Sequence, residues 1–552
     1  MRKLIPLLLV LFTTVSVSLR ASEEAPMQPL YDIGSFHRAI TTKSAEAQRY
    51  FDQGLALMYA FNHDEAIRAF EEAARLDPDA AMPWWGIAAA AGPHINYPAV
   101  PPEKHKLARE ALGQAQRLAL TGRTTPVERA LINAQIARYN EDPAADRAPL
   151  DSAYAQAMRE VWHQFPQDAD VGALFAESMM NLRPWALWKP DGTSQPGTDE
   201  ILATLDAVLA LVPNHPQALH LTIHAREASP TPEAAVPAAD RLRHLQPGLG
   251  HMVHMPSHID VRTGRWQDCI DANTRAIEAD LHYRRVSRRP DGFIGLYMAH
   301  NRHMLAYGAM MTGQSALALT HIHAMVEEFG PEFVQLFGPF ADVFGAVPLE
   351  VMVRFGRWDQ ILAAPAPVDR PLSKAMWHAA RGIAHAAKGN VSAARAEQEQ
   401  FLAARRAVPA DYPGGINLAS AVLDVAEPML AGEILFRAGE VDAGLEQLRE
   451  AVRREDALRY NEPPDWSIPV RHALGASLMQ VGRYTEAEQV YRADLKKLPG
   501  NGWSLFGLSQ ALRLQGKLDE AKVVRAQFDK VWAKADIDIT SSCLCLPGTP
   551  AK

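Results

Sequence analysis

Seven histidines, His220, His224, His251, His254, His258, His300 and His303, fall in three short stretches at steps of three and four residues. That spacing stacks side chains on one face of a helix. Glu227 continues the first stripe three residues beyond His224. Imidazole nitrogen with carboxylate oxygen is the donor set of zinc, iron, copper and manganese sites. The seven imidazoles and Glu227 exceed what one tetrahedral ion uses. They suit a dinuclear site, or one ion beside acid–base groups, with Glu177 and Glu227 as candidate proton acceptors. The expected cofactor is a divalent transition metal (copper, zinc or iron), and the expected reaction class is oxidoreductase or hydrolase. The sequence shows no nucleophile elbow, phosphate loop, dinucleotide fingerprint or His-Glu-x-x-His motif.

Residues around the cluster add to this. Pro256 stands between His254 and His258, where a helix interior would lose a backbone hydrogen bond at about 3 kcal/mol. Such a conflict between local sequence and fold marks functional or strained sites. Met252 and Met255 alternate away from the histidine stripe and are expected to pack rather than ligate. Of three cysteines, Cys269 is expected to be buried and structural. Cys543 and Cys545 form a Cys-x-Cys tail that can ligate or close a small, strained ring. Three cysteines make no disulfide framework, so the fold is expected to form without disulfides.

The histidines need elements to aim them, and an internal repeat supplies these. Counting from Ala47, residues Tyr50, Gly54, Ala66, Phe70, Ala73 and Pro78 take places 4, 8, 20, 24, 27 and 32 of a 34-residue unit. Small residues let helices approach, the aromatic fills the space between them, and Pro ends the second helix. The register returns at Gly389 with Ala394, at Gly482, Ala487, Tyr491 and Pro499, and again at Ala521. It also returns in units beginning at Pro216 and Gly250. The chain resembles the tetratricopeptide-repeat (TPR) family over roughly residues 47–535. The resemblance implies an all-α solenoid of stacked antiparallel helix pairs whose first helices line a concave groove. In that register the inward places are about 2, 5, 9, 12 and 13. All seven histidines and Glu227 then face the groove, with Glu177 at place 9 of an earlier unit. His378 and His385 fall on packing places and are expected in the core, whereas His472 faces inward several repeats away. The groove is expected to take a small molecule or a peptide. A TPR scaffold binding a peptide or partner protein without metal is the alternative.

The rest of the chain bounds these readings. Its 552 residues, 48% hydrophobic and 22% charged, fit a large globular array, and a net charge of −8 gives no basic excess to hold a nucleic acid. Residues 1–21 read as a signal peptide, with Arg2 and Lys3 before an apolar run and Ser16, Ser18 and Ala21 near the cleavage point. A periplasmic or secreted protein is expected, with no later window of about 20 apolar residues to span a membrane. The expected organisation is a lead-in over 22–46, N-terminal repeats over 47–182 and a loop over 183–198. Central repeats with the histidine cluster follow over 199–330, then helical repeats over 331–459, C-terminal repeats over 460–535 and a tail over 536–552. Three insertions interrupt the array: 183–198, Leu281–Met298 with its Arg284, Arg285, Arg288, Arg289 run, and Tyr460–Pro469. The aromatic segments Trp185–Trp188 and Asn461–Trp466 are expected to cover the groove.

Overall fold

The computed structural model describes residues 30–288 and 292–546; the signal-peptide reading and Arg289 lie outside them. Helix pairs follow one another along the chain, and no strand occurs among the described residues, which hold only isolated bridges such as Trp188 with Ser194. The first pair, Ala45–Tyr59 and His63–Leu76, shows why the pattern folds this way. Ser44 caps the first helix by accepting the Ala47 N–H, and Asn62 caps the second by accepting the Glu65 N–H. A Cβ on Gly54 would stand 2.6 Å from the Phe70 ring, so only glycine lets the pair close on that aromatic. Each helix packs on its successor, and first helices also touch each other, as Ala45–Tyr59 does Ala81–Ala90. This is the contact pattern of a stacked repeat.

The array does not stay open. The helix Ala45–Tyr59 also packs on Pro216–Glu227, and the lead-in is tied to distant repeats. Arg38 pairs with Asp168 and Asp170 at 2.7 Å, and the Gly248 N–H donates to the Asp32 carbonyl at 2.9 Å. At the other end, the indole N–H groups of Trp266 and Trp503 donate to the carbonyls of Pro499 and Met310, at 2.9 and 2.7 Å. The concave side is thereby enclosed.

Four expectations are corrected. Leu281–Met298 is mostly helix: Trp266–Ser287 runs through Arg284 and Arg285, and Ile294–Met311 begins soon after, so only a short connection interrupts the array. Cys543 and Cys545 are joined in a disulfide. It links residues two apart and crosslinks no separate elements; the tail is held instead by burial of Leu546 and by Ser542, whose hydroxyl bonds Tyr491 Oη and the His472 carbonyl. His378 and His385 are half-buried rather than core residues, and His378 pairs with Glu397 at 2.8 Å on the helix surface. Finally, Phe333–Arg354 is apolar and long enough to cross a membrane, with a mean hydropathy of 1.5. Half of it is buried in the protein, its helix breaks at Phe337 (φ −130°), and it carries Pro339 and Pro348.

Candidate metal centre

Three neighbouring first helices carry the cluster. Pro216–Glu227 starts at its favoured position for proline, capped by the His215 ring. The second is split by Pro256 into Gly250–His254 and Pro256–Thr263, and the chain tightens there, the His258 N–H bonding the Met255 carbonyl at 3.2 Å. The third is Ile294–Met311. A Cβ on Gly250 would overlap the Asp280 carboxylate, so glycine sets how closely the split helix lies against Trp266–Ser287. The same Asp280 accepts from Asn301 at 2.7 Å and so locks in the third helix. Met252 and Met255 are fully buried packing residues, and Cys269 is buried beneath the site.

The expected stripe is present, but it lies inside the protein rather than on an open groove. His220, His224, His251, His254, His258 and His303 are all buried, and His300 is half-buried. Six imidazoles form two triads, His220 with His224 and His251, and His254 with His258 and His300. Within each triad the donor atoms lie within 4.8 Å of one another. His303 lies beside the second triad without joining it, its Nε2 without a hydrogen-bond partner and its ring 6.1 Å from Phe344.

Hydrogen bonding fixes where the lone pairs point. His254 Nδ1 faces Asn273 Oδ1 at 2.6 Å, and the Asn273 amide nitrogen donates to the Cys269 carbonyl, so the oxygen must be an acceptor. His258 Nδ1 faces Glu227 Oε2 at 2.5 Å, and His220 Nδ1 faces the Tyr59 carbonyl at 2.8 Å. In each ring Nδ1 therefore carries the proton and Nε2 is a bare acceptor. Yet His254 Nε2 and His258 Nε2 stand 2.7 Å apart, with His300 Nε2 3.5 Å from His258 Nε2. In the other triad, His220 Nε2 and His251 Nε2 are 3.2 Å apart, and His224 Nε2 has no hydrogen-bond partner.

At His254 and His258 two lone pairs converge and repel unless a cation lies between them, whereas His251, whose Nδ1 has no partner, has a tautomer that donates from Nε2 to His220. A proton is poorly suited, because burial pushes His220, His251, His254 and His300 well below the usual imidazole range. A metal fits. Nitrogens bound tetrahedrally at about 2.0–2.1 Å lie about 3.3 Å apart, close to the 3.2 and 3.5 Å seen here, while the 2.7 Å between His254 and His258 is shorter and would open on binding an ion.

The carboxylates divide. Glu227 is buried with both oxygens engaged: Oε1 accepts from His224 Nδ1 at 2.9 Å and Oε2 from His258 Nδ1. Burial works to raise its carboxyl, but the two imidazoles outweigh it and hold the group down at about 2. It thus orients one histidine of each triad. Glu177 is buried apart from the cluster, accepting from Gln217 Nε2 at 3.0 Å, and burial pushes it up to about 7. It does not line the cavity described below.

Several site residues escape a reading of the helix stripe. Glu462, on the Tyr460–Pro469 connection, is buried with no hydrogen bond to either oxygen, its Oε2 3.4 Å from His258 Nδ1. Burial and the charge of Glu227 push it well up. Its one signal was membership of an expected covering segment. Trp185, on the other such segment, sets its ring 5.3 Å from His224 and donates to Asn96, whose amide donates to Tyr297 Oη. Phe61 has left-handed backbone (φ 56°). Its ring lies 4.6 Å from both His94 and His220 and 5.6 Å from His251. His63 and His94 flank it, 4.4 Å apart, and burial pushes His63 down to about 4.

His224, His251, His258, His300 and His303 line a cavity of about 1000 Å³. An aromatic series leads outward from them: Tyr297 lies 4.4 Å from His251, Phe293 5.4 Å from Tyr297, and Phe337 6.1 Å from Phe293.

Residues 47–80 match the family model for the tetratricopeptide repeat. No curated protein matches the chain. Similar solved structures include the human IFIT1 dimer with PPP-AAAA, at 11% identity over 90% of this chain and 92% of that one, with a TM-score of 0.33. Yeast Tom70 is another, at 10% identity over 89% and 92%, with a TM-score of 0.27. Residues 47–80 thus carry one tetratricopeptide repeat, and stacked helix pairs continue beyond it as a helical repeat scaffold through the described residues.

Proposed function

We propose that this scaffold is an exported metalloprotein holding two transition-metal ions, one in each histidine triad, at the floor of its cavity. One observation carries it: His254, His258 and His300 aim nitrogens at one point, and in His254 and His258 the other nitrogen is already committed to an acceptor. Six neutral imidazoles favour copper, zinc or iron over oxygen-seeking ions. Three protein donors per ion leave a position for water or substrate, the arrangement of catalytic rather than structural sites. The solenoid does not need metal to fold, because neighbouring repeats already bury a continuous core. A metal-dependent oxidoreductase or hydrolase is therefore the reading preferred over a peptide-binding scaffold. Glu462 rather than Glu177 is the carboxyl beside the proposed metals, and with its pKa raised it would hold a proton to donate there. Export rests on residues 1–21 of the sequence.

The test is elemental analysis of the purified full chain and of a variant with both His224→Ala and His254→Ala, one from each triad. Close to two ions per chain is expected in the parent and most of the metal lost in the variant, with circular dichroism nearly unchanged. A parent that retains no copper, zinc or iron after loading would refute the proposal.

A further inference from the structure

We propose that the cavity binds a ligand with a flat aromatic body and a single oxygen-donor head, of the phenol or aryl alcohol class, head towards the histidines; this rests on the metal reading above. The shape and chemistry of the two ends differ. At the floor the partner atoms are those of the metal centre, which takes an oxygen donor at its remaining position. From there outward the walls are rings: Tyr297, Phe293 and Phe337 form a continuous edge-and-face series, with Phe344 on the side of His303. Edge-to-face walls of this kind favour a flat aromatic guest. The mouth stays apolar, Leu336 and Phe340 being 55% and 40% exposed although both line the cavity. A volume of about 1000 Å³ is at the upper end for cavities that take small organic molecules.

Charge excludes other occupants. Apart from histidines, the described lining has two basic side chains, Arg68 and Lys104, and each is paired already, with Glu65 and Asp64. No guanidinium or ammonium is left to clamp a phosphate or a peptide carboxylate. Acidic groups do line the walls: Glu350 is engaged by the Ser467 N–H and Asp465 by Asn417, while Glu462, with no hydrogen bond to either oxygen, stands 3.4 Å from His258 Nδ1 on the metal side. A cationic head directed at the floor would meet the metal ions.

The experiment uses the full chain, zinc-loaded and metal-free, with four probes: 2-naphthol, naphthalene, 2-naphthylmethylammonium and a hexapeptide with a free carboxylate. In the zinc form 2-naphthol is expected to bind at least tenfold tighter than naphthalene, a preference that disappears without zinc. Phe293→Ala should weaken both naphthalene and 2-naphthol about tenfold at unchanged zinc content, and Phe340→Ala serves if that variant does not fold. Zinc retained with 2-naphthol and naphthalene equal, or with the ammonium or the peptide bound more tightly, overturns the ligand class and leaves the metal reading standing. No zinc retained, with naphthalene still bound and weakened by Phe293→Ala, overturns the metal reading and the head-group preference together.

Discussion

The central repeats and the C-terminal repeats both bury a histidine at an inward place, and they treat it differently. His472, on Val470–Gln480, is fully buried, yet both nitrogens meet complementary partners: Nδ1 receives Arg354 Nη1 at 2.8 Å, and Nε2 faces the Asp494 carboxylate at 3.0 Å. Asp494 in turn accepts from Ser504 and Asn501, and Arg354 lies over the Trp503 ring. Nothing there calls for an ion. In the central repeats the same residue type and the same burial leave nitrogen opposed to nitrogen. Burial does not distinguish a ligand from a structural histidine; the sign of what faces each ring nitrogen does.

The sharpest way to break this contrast is His472→Ala. It strands a buried arginine and a buried carboxylate, and should destabilise the chain by about 3–5 kcal/mol in urea unfolding while leaving metal content unchanged. Loss of metal in that variant would erase the distinction between the two regions. Next comes Glu227→Gln, which cannot accept from both His224 and His258 at once. Metal affinity measured by competition with a chelator should fall about 10–100-fold, with folding little changed. An affinity equal to the parent's would remove Glu227 as the link between the triads.

The smallest effect tests burial without a partner charge. Glu350 is a buried carboxyl pushed up to about 7 by desolvation, against which the Ser467 hydrogen bond works only in part. Its folded pKa lies above its unfolded one. The stability it contributes is therefore fully present below about 4.5 and is lost as pH rises through 7. Between pH 5 and pH 8 the parent should lose about 2 kcal/mol relative to Glu350→Gln. Parallel stability curves for the two proteins would show the carboxyl to be solvated.

Much of the fold was legible because the repeat is periodic. A Cβ on Gly54 would stand only 2.6 Å from the Phe70 ring across one helix pair, and one on Gly475 would crowd Tyr491 in the same way. The histidine stripe was legible for the same reason, since steps of three and four residues survive the break at Pro256. Enclosure was not, because it sums small rotations over many repeats and ends in contacts such as Trp266 with Pro499. Nor were Phe61, His94 and Glu462, which reach the site from turns and connections that carry no period, or His63, at the first position of a second helix. Leu281–Ser287, expected as an insertion, instead continues its helix, on which Ala279 and Tyr283 are buried. Glu177 kept its register and still missed the site, because inward facing on an earlier repeat aims at Gln217 and not at the histidines.

Phe61 carries a consequence for any attempt to engineer this protein. A left-handed backbone costs a bulky residue on the order of 1–3 kcal/mol, and glycine or asparagine would take that turn more easily. A thermostability screen, or a redesign towards repeat consensus, would therefore favour replacing it. The product would be a hardier solenoid with a hole where the ring separates His94 from His220. Selection for robustness and selection for the proposed metal centre would pull this single position in opposite directions, so retention of phenylalanine here would report on use of that centre rather than on survival of the fold.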